Sequence, residues 1–310
     1  MILDVGQGHK LYYEISGNPD GIPAVFLHGG PGGGMNPLMR DYFDPDKYKV
    51  ILFDQRGCGK STPANQLENN NIEELVEDVE RLRIHLGIDK WVVLGASWGS
   101  ALAMFYAGEY PHAISSLILS GIFFADARGR DYLAEEGGAS RYQPDLFAHY
   151  RDLIPPEKRK HGLVKAYYDI MTNGTEDDRM EATRRFVLYD LLLLRDIVPE
   201  NEIADIKAHP EKSYPLCRIY FHFAANFFDD ANRVKILETA NRLSAAGLKC
   251  AIFHGGKDYI CPVSDARELH RAYPGSALHI LPNLWHSMRN PGYKQAVLSH
   301  TDKLARELKT

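Results

Sequence analysis

Cysteine, long apolar runs and a surplus of basic charge are all scarce in this chain of 310 residues. The four cysteines, Cys58, Cys217, Cys250 and Cys261, show no CxxC spacing, so they read as free thiols rather than zinc ligands or a disulfide framework. No apolar stretch approaches the ~18 residues of a spanning helix, and LLLL at 191–194 is only a short patch. No membrane association is therefore expected. The opening MILDVGQGHKLYYE has neither a basic start nor a long apolar region, which argues against a signal peptide and makes the cytoplasm the expected location. A formal net charge of -5 gives no footprint for nucleic acid. HExxH, clustered His/Asp ligands and the G-x-x-x-x-G-K-[ST] phosphate loop are all missing, so no metal and no cofactor are expected. Oligomeric state leaves no mark in the sequence.

What is present centres on WVVLGASWG at 91–99. A β-branched run ends abruptly in Gly-x-Ser-x-Gly, and the following SALAMFYA has helical character, which is the strand, sharp turn and helix context of a nucleophile elbow. Placing one hydroxyl at the tip of such a turn forces its residue into a strained conformation, so the residues two positions away on either side must be small. Ser97 is the candidate nucleophile.

Before the elbow, Lys10 to Ser16 alternates polar and apolar residues and is followed by the turn sequence GNPDG at 17–21, so the first strands are expected to form a hairpin. A short strand AVFL leads into HGGPGGG at 28–34, where glycines let backbone N–H groups approach a ligand. An oxyanion at a carbonyl attacked by Ser97 needs two donors, and the amides of Gly30 and Trp98 are the candidates. A second strand, YKVILF, ends in DQRGCGKST; Asp54 and Arg56 are read there as braces between loops, and Cys58 as inert. Asn71 opens a helix with apolar residues at helical spacing, and Glu74 stands at the position of a capping-box carboxylate. The alternation of strand and helix predicts a mostly parallel sheet covered on both faces.

From Ile122 this rhythm lapses into about a hundred residues of helical periodicity rich in Tyr and Phe, resuming near Leu248. The expected organisation is an α/β core at 1–121 and 236–310, interrupted by a mainly helical cap at 122–235. Most of the aromatics are expected to form the core of that cap.

A serine nucleophile needs a base, and the base needs an acid that fixes its tautomer. Asp258 follows the strand KCAIF, whereas Asp265 falls within a helical pattern. Of the histidines beyond it, His270, His279 and His300 lie within predicted elements, and His286 lies in the loop after the last strand. Ser97, Asp258 and His286 thus form the expected triad, in the chain order of this fold class.

The chain resembles the prolyl aminopeptidases (proline iminopeptidases), α/β-hydrolases of the serine peptidase class, over nearly its full length. GHKLYYEISGNPDGIPAVFLHGGPGGG, YKVILFDQRGCGKSTP and LGASWGSALA carry the resemblance, with Asp258 and His286 later. It implies removal of N-terminal proline from small peptides or amides through an acyl-enzyme, with the same triad and with Gly30 and Trp98 as oxyanion donors. Members of that family carry W-x-x-W-E and R-I-E-x-H-Y-F stretches whose glutamates hold the substrate's α-amino group. The corresponding stretches here are FVLYD and RIYFHF. Asp190 keeps a carboxylate on a shorter arm, and Tyr220 stands in place of the second acid. GASWGS replaces GGSWGS, and Leu284-Trp285 precedes His286 where a small residue and glycine are usual. An esterase, lactonase or amidase acting on small acyl substrates with the same triad is the alternative function, and a non-catalytic binding protein on a hydrolase fold is the third.

Overall fold

The computed structural model describes residues 1–308. Eight strands form one sheet: β1 (Ile2–Gly6), β2 (His9–Gly17), β3 (Ile22–Leu27), β4 (Tyr48–Phe53), β5 (Trp91–Ala96), β6 (Ile114–Ser120), β7 (Cys250–Gly255) and β8 (Ala277–Leu281). Their spatial order is β1-β2-β4-β3-β5-β6-β7-β8. From β4 to β8 every pairing is parallel, and the β1–β2 and β2–β4 pairings are antiparallel. The opening hairpin is β1–β2. The turn after Gly17 instead leads to β3, which is separated from β2 by β4. Crossover geometry explains this, because β3 and β4 are parallel and joined by a long connection rather than a tight turn.

Side-chain alternation divides each central strand between two cores. Val25, Leu27, Trp91, Val93, Leu117 and Leu119 face one side. There they meet α1 (Ile72–His85) and α2 (Trp98–Glu109), with α9 (Asp230–Ala245) and α10 (Val263–Ala272) packed alongside. Ala24, Phe26, Val92, Leu94 and Ile118 face the other, covered by α11 (Pro291–Leu308). Asn71 caps α1 by accepting from the Glu74 amide. The Glu74 carboxylate does not return to the cap: it accepts from Gln7 and Arg56, a buried charge being a stronger attraction than a solvated backbone N–H.

Between β6 and β7 the chain forms α3 (Ala127–Ala134), α4 (Pro144–Arg151), α5 (Leu163–Asn173), α6 (Glu176–Leu194), α7 (Glu200–Ala208), α8 (Tyr214–Asn226) and α9. The boundary expected at 235 falls within α9, whose buried Ile236, Ala240 and Leu243 pack on the sheet side with α2. Aromatic rings fill the interior of the insertion. Tyr150 lies 4.4 Å from Tyr167 and 5.6 Å from Tyr189, and Tyr167 stacks on Phe221 at 5.0 Å. Trp98, at the start of α2, contacts Phe223 and Phe228 at 5.1 and 5.7 Å, so the insertion is seated directly on the elbow. No described helix is long and apolar enough to cross a membrane.

Candidate active site

Ser97 sits between β5 and α2 with φ 58° and ψ -125°. A non-glycine residue in this region is strained and persists only where its surroundings hold it. Here the Ser97 amide donates to Ser120 O at 2.8 Å, and Ser97 O accepts from both the amide and the hydroxyl of Ser100 at 2.7 Å. The flanking glycines are sterically required. A Cβ on Gly99 would collide with Leu27 O, and one on Gly95 with Gly99 O.

The HGG loop lies against this turn: a Cβ on Gly29 would stand 3.7 Å from Ser97 Oγ. His28 is buried, and burial lowers its pKa. Its Nε2 accepts from Gln55 N at 3.1 Å, leaving Nδ1–H to donate to Gly29 O at 2.9 Å. The Gln55 side chain then joins both segments, donating to His28 O at 3.0 Å and accepting from Trp98 Nε1 at 2.9 Å. Neither the Gly30 nor the Trp98 amide donates to another described residue, so both remain available to a ligand. Gln55 escaped the sequence reading. Its only signal was a buried-strand end between two glycine-rich turns, and nothing in that pattern names the partner.

Asp258 and His286 meet from separate strand ends. His286 Nδ1 donates to Asp258 Oδ2 at 2.7 Å, and Asp258 Oδ1 accepts from the amides of Ile260 and Cys261 at 3.0 and 2.8 Å. Burial opposes ionisation of Asp258, but His286 by charge and hydrogen bond, His254 by charge and the Cys261 amide hold its pKa below the usual carboxylate value. Burial likewise disfavours a charged His286; Asp258 outweighs it, Asp190 adds to that effect, and the imidazole pKa is raised. His254, buried at the end of β7, approaches Asp258 Oδ2 to 3.3 Å while accepting from the Ile122 amide at 3.1 Å and donating to Cys261 O at 3.0 Å. The sequence reading placed His254 only as a strand end.

Ser97 and His286 line one cavity of about 270 Å³. A short chain of contacts relates them: Ser120, which accepts from the Ser97 amide, precedes Gly121, and a Cβ on Gly121 would stand 2.9 Å from Cε1 and 3.7 Å from Nε2 of His286. The other walls include Gly30, Phe186, Asp190 and Tyr220. All seven sequence-derived site residues are therefore at this locus, Trp98 through its amide at the start of α2.

The side chains of Asp190 and Tyr220 have no hydrogen-bond partner among the described residues. Burial pushes the Asp190 carboxyl up to about 6, partly offset by the nearby His286. Tyr220 stacks on Phe186 at 5.0 Å, and burial, reinforced by the Asp190 charge, raises its pKa. Asp54 and Arg56 lie outside the cavity. Asp54 accepts from the amides of Met35 and Lys60 at 2.6 and 2.8 Å, and Arg56 grips Asp78 through Nε and a second nitrogen at 2.6 and 2.9 Å. Burial raises the Cys58 thiol pKa, which makes it a poor nucleophile. Among the described residues no cluster of three or more His, Cys, Asp or Glu is arranged to hold a metal.

A family model for the alpha/beta hydrolase fold matches residues 23–162. The "Probable proline iminopeptidase" of Leptolyngbya boryana is 40% identical over 304 residues, covering 97% of this chain and 92% of that protein. The chain belongs to the proline iminopeptidase family. A further member from Arabidopsis thaliana is 38% identical, covering 97% of this chain and 78% of its own. Among solved structures, an esterase from Exiguobacterium antarcticum has a TM-score of 0.63 at 20% identity, covering 100% of this chain and 99% of its own. A bromoperoxidase from Bacillus anthracis has a TM-score of 0.64 at 18% identity, covering 100% and 99%. At such identities these two speak for the α/β-hydrolase fold alone. In this chain Asp190 is half-buried and Tyr220 is buried, both against the cavity that Ser97 and His286 line.

Proposed function

We propose that this protein is a serine hydrolase that removes N-terminal proline, or a similarly small residue, from short peptides or amides. Family membership supports the reaction class, and the observation that carries the substrate end is Asp190, a carboxylate without a partner in the cavity shared by Ser97 and His286. A buried carboxylate left unpaired is costly, and an ammonium brought beside it offsets the desolvation of both charges.

In this reading the substrate amine lies against Asp190, and its carbonyl carbon lies at Ser97 Oγ. His286 Nε2 takes the Ser97 proton as Oγ attacks, the Gly30 and Trp98 amides receive the oxyanion, and Asp258 stabilises the imidazolium through Nδ1. Collapse of the tetrahedral intermediate breaks the C–N bond, with the leaving nitrogen taking the proton from His286. Water then adds to the ester carbon, giving a proton to His286 that returns to Ser97 Oγ as the amino acid departs. No cofactor enters these steps.

A second reading, an esterase or lactonase on the same triad, is favoured by Tyr220 and Phe186 in the cavity wall, where a second acid would otherwise strengthen amine selection. Turnover of proline 2-naphthylamide measured against a panel of short acyl esters decides between the two. The peptidase reading predicts the larger kcat/KM for the amide; strong ester turnover with none of the amide contradicts it.

A further inference from the structure

Asp190 is not the only unneutralised charge in the cavity. Arg289, three residues after His286, lines the same cavity from its exposed rim and makes no ion pair within 4.0 Å among the described residues. Neighbouring cations are occupied: Arg195 pairs with Glu202, and Lys294 with Asp41 at 2.9 Å. Asp196, which shares the adjoining surface hollow with Arg289, does not pair with it either. The guanidinium's electrostatic influence falls on Tyr42, whose pKa it lowers against the effect of burial.

The segment bearing Arg289 is firmly held. Ser287 N donates to Leu194 O at 3.1 Å at the end of α6, the Tyr42 hydroxyl donates to Met288 O at 2.7 Å, and the Arg289 amide donates to Ser287 Oγ at 3.3 Å. Asp190 lies on that same helix, α6. Two opposite charges thus face one cavity, lie on segments tied together, and leave each other unpaired. The wall shared with them is apolar, including Leu194, Leu216 and Met39.

We propose that Arg289 receives the C-terminal carboxylate of the substrate, making free dipeptides and tripeptides the preferred class over amidated or longer chains. The inference rests on the aminopeptidase reading above. His286 protonates the leaving nitrogen, so residues following it in the loop border the leaving-group side, where a short peptide ends in its carboxylate. Arginine suits this end because its planar fork matches a carboxylate. A cavity of about 270 Å³ lies below the ~300–1,000 Å³ usual for ligand sites, which fits an occupant of one to three residues.

The test compares kcat/KM for Pro-Ala with that for Pro-Ala-amide, at low salt and at 1 M salt, in the wild type, Arg289→Gln and Arg289→Glu. Proline 2-naphthylamide serves as the reference substrate. The wild type is expected to favour the free acid about fivefold, as befits an exposed ion pair, and less at high salt. In Arg289→Gln the ratio should approach one, and in Arg289→Glu the amide should be favoured. Equal rates on acid and amide in the wild type, with the naphthylamide hydrolysed, overturn the role of Arg289 and leave the aminopeptidase reading intact. A free-acid preference that survives both substitutions also overturns it. If no proline substrate is turned over, the aminopeptidase reading fails and this inference falls with it.

Discussion

The sheet side of the cavity and its helical side are built on opposite principles. At the sheet edge the groups that position the site are matched in advance: Asp258 has three donors, His286 has its acid, and the Gln55 bridge fixes the HGG loop to the elbow. On the helical side Asp190 and Tyr220 face the cavity with nothing attached, set among stacked rings. Preorganised dipoles are what an acyl-transfer step requires, whereas an unpaired carboxylate is what a cationic ligand requires. Under the proposed function, the contrast separates the chemistry, held by the sheet, from the choice of substrate, held by the insertion.

Substitutions that attack the sheet side should cost most. Ser97→Ala is expected to lower kcat by at least ~10⁴-fold and to abolish labelling by a fluorophosphonate, read by intact mass. Asp258→Asn, which leaves the shape but reverses the hydrogen-bond demand on His286, should lower kcat by about 10⁴-fold. Both should act equally on amide and ester substrates. A loss confined to one class would break the division drawn above.

The helical side should respond selectively. Asp190→Asn is expected to reduce kcat/KM for proline naphthylamide by about tenfold, since the wall is half-buried and the pair is partly screened, while ester turnover changes far less. The pH profile sharpens the same point. In the proposed mechanism His286 acts as a base only when deprotonated, so activity on any substrate should rise with pH through its raised pKa. Asp190, pushed up to about 6, must be ionised to hold an ammonium, so amine-bearing substrates should lose additional kcat/KM as pH falls through that value. In Asp190→Asn the amide and ester profiles should coincide on the acid side.

Smaller effects test the bridge between the regions. Gln55→Leu strands the Trp98 indole N–H and the His28 carbonyl, and should lower stability by about 1–3 kcal/mol in urea unfolding together with kcat. Tyr220→Phe removes a hydroxyl that has no partner, so kcat/KM should change by no more than ~5-fold.

The elbow, the parallel sheet and the strand ends that carry Ser97, Asp258 and His286 were legible because each follows from local chain chemistry. Gly95 and Gly99 report a backbone clash, and a histidine in a loop after a strand reports which end of the sheet it occupies. Pairings that depend on approach in space were not. Gln55 and His254 carry no periodic or motif signal for their partners, and Glu74 was drawn from its cap by Arg56, whose burial the sequence does not reveal. Arg289 reads as an ordinary loop cation until the cavity beside it is seen. The Gly17–Gly21 turn was legible as a turn, though not where it sends the next strand.

The most direct measurement is the ratio of kcat/KM for proline 2-naphthylamide to that for N-acetylproline 2-naphthylamide, taken in the wild type and in Asp190→Asn. Acetylation removes the positive charge without touching the scissile bond. The account predicts a strong preference for the free amine that collapses in the variant; equal turnover of the two substrates by the wild type would contradict it.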